Sequence, residues 1–168
     1  MILNNVLAAF ETIHCLKRRR KAKRRKLVLK LDMAKAYDQV EWPFLDCVMC
    51  TMEFLARFVN LIMGCITTAS YSVLLQGRPY GKIIPSRGLR QGDPISSYLF
   101  LIVAEGFSAL LQQAELNSKI RGVSIAASAP SLNNLFFAND SLLFCDVEPR
   151  QVTGPKRIFR IYEEASSQ

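Results

Sequence analysis

Residues 135–145 read LFFANDSLLFC, two strongly apolar runs separated by the pair Asn139-Asp140. Asn and Asp tolerate positive φ angles, so the pattern predicts two antiparallel strands, 135–138 and 141–145, joined by a tight hairpin turn. A carboxylate between two apolar strands is expected to reach solvent only at the turn. Asp140 is therefore a candidate functional group, although turn formation alone would also account for it.

Two more segments carry candidate functional groups. Residues 27–31 read LVLKL, which predicts a short buried strand, and Asp32 follows at its end, where a rigid scaffold can present a carboxylate. Capping of the next turn is the alternative for Asp32. Residues 86–94 read SRGLRQGDP, a glycine-rich loop before an apolar helix, where N–H and guanidinium groups can meet a phosphate. Together, two strand-end carboxylates can bring Mg²⁺ to nucleotide phosphates.

The remaining pattern predicts a mixed α+β fold, with helices and strands interspersed along the chain. Residues 98–111 form the longest apolar stretch, broken by Glu105, and this is shorter than the roughly 18–20 residues that a membrane span needs. The other expected elements are an amphipathic helix over 1–16, a helix over 46–63, a hairpin of strands 71–75 and 82–84 around the long turn QGRPYG, a helix over 96–113 buried on most sides, a strand over 121–126 and a helix over 155–165.

The positive charge is concentrated in one segment. The net charge is +8, but residues 17–26, KRRRKAKRRK, carry nine of the 22 basic residues, which leaves 13 basic against 14 acidic residues elsewhere. Like charges at this density predict a solvated loop or a frayed helix end. Nucleic-acid phosphate is a natural partner, and a nuclear-import signal or a solubilising surface loop are alternatives.

The five cysteines are an odd number, and no signal peptide is expected from the first residues. The sequence therefore predicts free thiols in a reducing compartment, the nucleus or the cytoplasm rather than the secretory route. Cys47 and Cys50 form a C-x-x-C pair without a second pair at zinc spacing, so they are interpreted as core thiols one helical turn apart.

Three ordered segments carry a family resemblance. Residues 29–38, LKLDMAKAYD, look like motif A of a reverse transcriptase; residues 87–100, RGLRQGDPISSYLF, look like motif B; residues 135–144, LFFANDSLLF, look like motif C. The chain resembles the non-LTR (LINE-type) retrotransposon reverse transcriptases, most closely those of plant genomes. The resemblance implies that residues 1–168 are a partial reverse transcriptase domain, a right-hand polymerase palm of antiparallel strands and packed helices with part of the fingers.

The resemblance also implies an activity, RNA-directed DNA synthesis by two-metal nucleotidyl transfer. Its substrates are dNTPs and an RNA template with a DNA primer, its cofactor is Mg²⁺, and no membrane or specific protein partner is expected. Asp38 and Glu41 are expected to serve local structure. The implied roles are metal ligation by Asp32, by the backbone carbonyl of Met33 and by Asp140; exclusion of a 2′-hydroxyl by Tyr37; contact with the nucleotide by Gln91 and Gly92; and phosphate contact by Arg87 and Arg90.

Three positions depart from the family pattern. Asn139 stands where the family has the first Asp of motif C, so the site loses one of its three carboxylates. Ser97 replaces a proline, and Glu53 stands where the family usually has glycine. With fingers and thumb segments also missing, the chain is expected to be inactive or impaired as a polymerase. The alternative is a non-catalytic nucleic-acid-binding protein whose contacts are Lys17, Arg18, Arg19, Arg20, Lys21, Lys23, Arg24, Arg25 and Lys26.

Overall fold

A computed structural model describes residues 2–18, 26–32, 35–126, 129–137, 140–146, 157–158, 160 and 162–164. The chain divides into two compact units. The sheet unit comprises Met1–Ala34 and Gly106–Glu164, and the hairpin unit comprises Lys35–Glu105 and Ala165–Gln168. In chain order the elements are α1 (Ile2–Arg18), β1 (Lys26–Asp32), α2 (Trp42–Thr51), α3 (Ala56–Thr67), β2 (Tyr71–Leu75), β3 (Arg78–Ile83), α4 (Pro94–Leu116), β4 (Asn134–Phe137) and β5 (Asp140–Asp146).

The sheet unit is built on a three-stranded antiparallel sheet with the strand order β1-β5-β4. The predicted strands over 27–31, 135–138 and 141–145 are confirmed within one or two residues, and so is the first helix. Ala9 of α1 packs with Leu135 and Phe144 of the sheet in one buried cluster. The Asn5 side chain donates a hydrogen bond to the Phe136 carbonyl at 2.8 Å. Helix α1 therefore covers part of the outer strand β4 and bonds to its backbone.

The helix predicted over 46–63 is wrong, because the chain forms two helices there. Helix α2 ends in a Schellman motif, in which the Phe54 N–H bonds to the Met49 carbonyl and the Glu53 N–H bonds to the Cys50 carbonyl. This motif needs a left-handed residue, and Glu53 supplies it with a φ of 60°. Glycine is the usual signal for such an ending. Because Glu occupies this position, the sequence gives no signal for the end of α2 and predicts one continuous helix.

The predicted hairpin of β2 and β3 is confirmed, but its turn is tighter than expected. Leu75 pairs with Arg78, so the turn consists of Gln76 and Gly77 alone, both with positive φ angles of 49° and 77°. Two positive φ angles are typical of the type I′ turns that match the twist of a hairpin. The segment 78–81, interpreted as turn because of Pro79 and Gly81, is strand.

Helix α4 is longer than predicted and is buried on one side rather than on most sides. Leu99, Val103, Phe107 and Leu111 are buried. Tyr98 is 69% exposed and Leu101 is 56% exposed, although both are apolar or aromatic. By length and composition alone α4 would be apolar enough to cross a membrane, a criterion that core helices also meet. Of the most apolar 18-residue window of α4, 39% is buried in the structure.

Three smaller predictions fare differently. The segment 121–126, which is described throughout, is not a strand; Val123 makes an isolated bridge with Leu132. The described residues between 157 and 164 are helical, as expected, while 155, 156 and 165 lie outside the described residues. The five cysteines all lie within the described residues and form no disulfide bond, but Cys47 and Cys50 are exposed. The prediction of core thiols is wrong because α2 turns Leu45 and Met49 inward instead.

Candidate functional site

The two candidate carboxylates face each other at one end of the sheet. In the antiparallel register of β1 and β5, Asp32 is the direct partner of Asp140. Side chains of direct partners project from the same face of a sheet, with Cβ atoms roughly 4.5–5.5 Å apart. Phe137 also pairs with Asp140, so Asp140 is the first residue of β5 and not a residue of the turn. The strand register therefore presents both carboxylates together.

Lys30 joins this pair and was not predicted from the sequence. It lies two residues before Asp32 on β1, and its Nζ is 2.9 Å from Asp140 Oδ2. The hydrogen bond to Asp140 raises the pKa of Lys30 above its usual value; the charges of Asp140 and Asp32 act in the same direction, and removal from water opposes them. A raised lysine pKa stabilises the fold at every pH below the usual value of about 10.4, and the effect is lost as the pH rises beyond the raised value. Lys30 is therefore an ammonium ion throughout the neutral range.

The oxygen donors at this end of the sheet fit a magnesium ion. Mg²⁺ prefers oxygen ligands and is commonly bound through one or two carboxylates together with substrate phosphates. Asp32 and Asp140 supply such a pair. Among the residues that the structure describes, no cluster of three or more His, Cys, Asp or Glu side chains could hold a metal. The described part of the site thus offers two carboxylates and one paired lysine.

The other predicted site residues lie in the hairpin unit, where the loop before α4 is bound to the turn after β1. Gly88 donates a backbone hydrogen bond to the Val40 carbonyl at 2.8 Å, and Leu89 donates one to the Tyr37 carbonyl at 2.7 Å. The Trp42 indole N–H donates to the Gly88 carbonyl at 2.9 Å. A Cβ at Gly88 would approach the Asp38 carbonyl oxygen to 2.8 Å, so only glycine allows this contact.

Side chains extend the same connection. Gln91 Nε2 donates a hydrogen bond to Asp38 Oδ1 at 3.2 Å. The Arg87 guanidinium forms an ion pair with Glu41 at 3.2 Å. Asp38 and Glu41 thus bond to the loop, in keeping with the structural role expected for them. Arg87, a predicted phosphate contact, makes this ion pair from an exposed position, and Arg90 is exposed as well.

The aromatic ring of Tyr37 stacks on Phe100 of α4. The ring centroids are 5.0 Å apart and the planes differ by 18°.

An open cavity of about 730 Å³ lies in the hairpin unit. Its lining includes Asp38, Trp42, Cys65, Arg87, Arg90 and Gln91. Three of the residues predicted to meet a nucleotide or its phosphates therefore border one cavity, next to the exposed Gly92.

Several predicted site residues lie outside the described residues. They are Met33, Asn139, Arg19, Arg20, Lys21, Lys23, Arg24 and Arg25. The other members of the basic segment are described: Lys17 and Arg18 end α1, and Lys26 begins β1.

Lys30, Phe100 and Glu41 were not singled out as site residues from the sequence. For Lys30 a signal existed, because side chains two positions apart on a strand share a face. Phe100 and Glu41 make contacts across long sequence separations, and hydrophobic periodicity does not report such contacts.

Comparison with known proteins agrees with the predicted family. The family model described as reverse transcriptase (RNA-dependent DNA polymerase) matches residues 1–165. An uncharacterized mitochondrial protein of Arabidopsis thaliana is 41% identical over 68 residues, which are 40% of this chain and 56% of that protein. The retrovirus-related Pol polyprotein from type-1 retrotransposable element R2 of Popillia japonica is 31% identical over 145 residues, which are 86% of this chain and 22% of the polyprotein.

The chain thus spans about half of the first relative and about a fifth of the second. The family model covers nearly the whole chain, including all three motifs and the strands that bring Asp32 and Asp140 together. On this match the chain belongs to the reverse transcriptase family.

Proposed function

We propose that this domain is the palm, with part of the fingers, of an enzyme for RNA-directed DNA synthesis. Its substrates are dNTPs and an RNA template with a DNA primer. The observation that carries the proposal is the register that sets Asp32 opposite Asp140 at the end of two paired strands. The similarity to a retrotransposon Pol polyprotein supports the same activity.

In this proposal Asp32 and Asp140 hold Mg²⁺, with the backbone carbonyl of Met33 as a further ligand. When bound, Mg²⁺ supplies activation of the primer 3′-oxygen and neutralisation of the leaving pyrophosphate. The protein's own contribution is to fix both carboxylates on paired strands, so that the backbone holds them opposite each other before substrate arrives.

The hairpin unit supplies the nucleotide contacts in this proposal. Tyr37 excludes a 2′-hydroxyl from the sugar position, and its stacking on Phe100 restricts the ring to one place. Gln91 and Gly92 contact the nucleotide, and Arg90 contacts its phosphates. Arg87 has a structural part, because its ion pair with Glu41 fixes the loop. It reaches a phosphate only by leaving Glu41.

We further propose that Asn139 impairs synthesis. An amide oxygen is a neutral ligand, so the site has two carboxylates where the family pattern has three. Residues that act as a unit in catalysis lose rate by orders of magnitude when one is replaced. The shape of Asn is close to that of Asp, so the strands around it are expected to be unaffected.

Primer extension on an RNA template tests both proposals. The chain is compared with the variant Asn139→Asp, first in Mg²⁺ and then in Mn²⁺, after circular dichroism has established that both are folded. We expect extension by Asn139→Asp to exceed that of the original chain by at least about 100-fold. Equal extension by both would show that the amide is tolerated and would remove the proposal of impairment.

A double variant supplies the matched control. Asn139→Asp combined with Asp32→Asn retains the number of carboxylates of the original chain and should be inactive. If it extended primers as well as Asn139→Asp does, Asp32 would not be a metal ligand. Tyr37→Ala in the Asn139→Asp background should increase incorporation of ribonucleotides relative to deoxyribonucleotides.

The second candidate is nucleic-acid binding without synthesis, carried by the basic residues of 17–26. The concentration of nine positive charges in ten residues favours it. RNA binding by a folded Asn139→Asp variant that extends no primer in either metal would favour this candidate over the first.

A further inference from the structure

Lys30 contacts Asp140, one of the two predicted metal ligands, and the proposed function gives it no role. On β1 it pairs with Leu142, the residue two positions after Asp140 on β5. This diagonal arrangement on one face lets a long side chain reach across to the neighbouring strand. The ammonium group lies 2.9 Å from Asp140 Oδ2, with 61% of the Lys30 side chain and 39% of the Asp140 side chain exposed.

The contact occupies one of the two carboxylate oxygens that Asp140 could offer to a metal ion. Lys30 brings one positive charge to a pair of carboxylates whose combined charge is −2. Because Asn139 is neutral, no third acidic side chain at the motif C pair compensates for the lysine. Asp32, Asp140 and Lys30 therefore present a net charge of −1 to an approaching divalent cation. One of the two carboxylates, Asp140, is already bonded to Lys30.

We propose that Lys30 is an internal counter-cation that competes with divalent metal for Asp140. Metal binding then requires displacement of the lysine ammonium from Asp140 Oδ2. The side chain is long and exposed, so it can swing into solvent without disturbing the strand pairing. In the absence of metal, the same contact keeps two like charges together at the sheet end by neutralising one of them. The proposal rests on the proposed function in one respect, namely that Asp32 and Asp140 bind metal.

Direct measurement of Mn²⁺ binding tests the proposal without reference to catalysis. Free Mn²⁺ is followed by electron paramagnetic resonance during titration of the full chain. Lys30→Met removes the ammonium group and retains the length of the side chain, and we expect it to bind Mn²⁺ about two- to fivefold more tightly. Lys30→Arg keeps a cation and should bind Mn²⁺ no more tightly than the original chain.

Two controls separate this proposal from its premise. Lys119→Met removes an exposed lysine from the turn that follows α4, off the sheet, and should leave Mn²⁺ binding unchanged. Asp140→Asn removes the shared ligand. It should weaken Mn²⁺ binding, and once it is present, adding Lys30→Met should no longer change the affinity.

Each outcome decides one question. Equal Mn²⁺ affinity of Lys30→Met and the original chain, with binding still dependent on Asp140, would overturn the role of Lys30 and leave the metal site intact. An equal increase in Mn²⁺ affinity in Lys119→Met would show that the effect comes from net charge alone and would also overturn the role of Lys30. If neither Asp32→Asn nor Asp140→Asn changed the Mn²⁺ affinity, these residues would not be metal ligands, and the proposed function would lose its metal site.

Discussion

Glu53 occupies the position that ends α2, with a φ of 60°. The Schellman motif around it satisfies the last carbonyl groups of the helix, and Phe54 follows as the apolar residue that usually accompanies such an ending. A residue with a Cβ is strained in the left-handed region, whereas glycine is not. The glycine of the family pattern at this position has a physical reason, and the chain departs from it at the expense of stability.

We expect Glu53→Gly to stabilise the domain by about 0.5–1 kcal/mol, because relief of backbone strain outweighs the added freedom of the unfolded chain. The melting temperature should rise by about 1–4 °C in a thermal scan. Glu53→Ala is the matched control, since it removes the carboxylate and keeps the Cβ. A rise in melting temperature for Ala as large as for Gly would contradict the argument from strain.

Gly88 and Gly92 both have positive φ angles, 93° and 84°, but their surroundings differ. A Cβ at Gly88 would press on the Asp38 backbone, whereas a Cβ at Gly92 would meet nothing within 4 Å. We expect Gly88→Ala to destabilise by about 2–3 kcal/mol and Gly92→Ala by only about 1 kcal/mol. Urea denaturation measures both, and equal losses would show that the close approach of loop and turn has no energetic weight.

Among the elements, the C-terminal part of α4 is tied to the chain that leads into β4. Glu115 accepts hydrogen bonds from the Gly122 N–H at 3.0 Å, from the Ser131 hydroxyl at 2.6 Å and from the Asn133 amide at 2.8 Å. Asn133 in turn offers its carbonyl to the Phe144 N–H. One carboxylate thus connects a helix end, an irregular segment and the sheet.

Replacement of Glu115 by Gln tests this connection. The amide turns one acceptor oxygen into a donor that faces other donors, and an unsatisfied polar contact costs about 1–3 kcal/mol. We expect Glu115→Gln to lower the urea midpoint accordingly. Glu105→Gln changes an exposed position on the same helix and should alter the free energy of unfolding by less than about 0.5 kcal/mol. Similar losses for both would contradict the specific role of Glu115.

For the whole molecule, the distribution of charge is the property most open to measurement. Outside residues 17–26 the chain is nearly neutral. We expect binding of single-stranded RNA to weaken linearly with salt on a logarithmic plot, and the slope to fall toward zero when the basic residues of this segment become serine. Exchange of its arginines for lysines keeps the charge and should keep the slope. An unchanged slope in the serine variant would place the RNA contact elsewhere.

The sequence predicted most elements of the molecule and the identity of the two facing carboxylates, because alternation and apolar runs report local structure. It did not predict the break at Glu53, since the turn uses a residue without the usual glycine signal. It also predicted burial on most sides of α4, where one side is exposed at Tyr98 and Leu101. The contacts of Lys30 with Asp140 and of Gln91 with Asp38 join residues far apart in the chain, and only folding brings them together.

The pairing of Asp32 with Asp140 also has a consequence for changes in chain length. Successive residues of a strand point to opposite faces, so a shift by one residue reverses every side chain. Insertion or deletion of a single residue between Lys26 and Asp32 would place Asp32 on the face opposite Asp140 unless the whole pairing of β1 slipped. Such a change would remove the facing carboxylates while both aspartates remained in the sequence. Whether the number of residues added to or removed from β1 is odd or even therefore matters as much to this site as the two aspartates themselves.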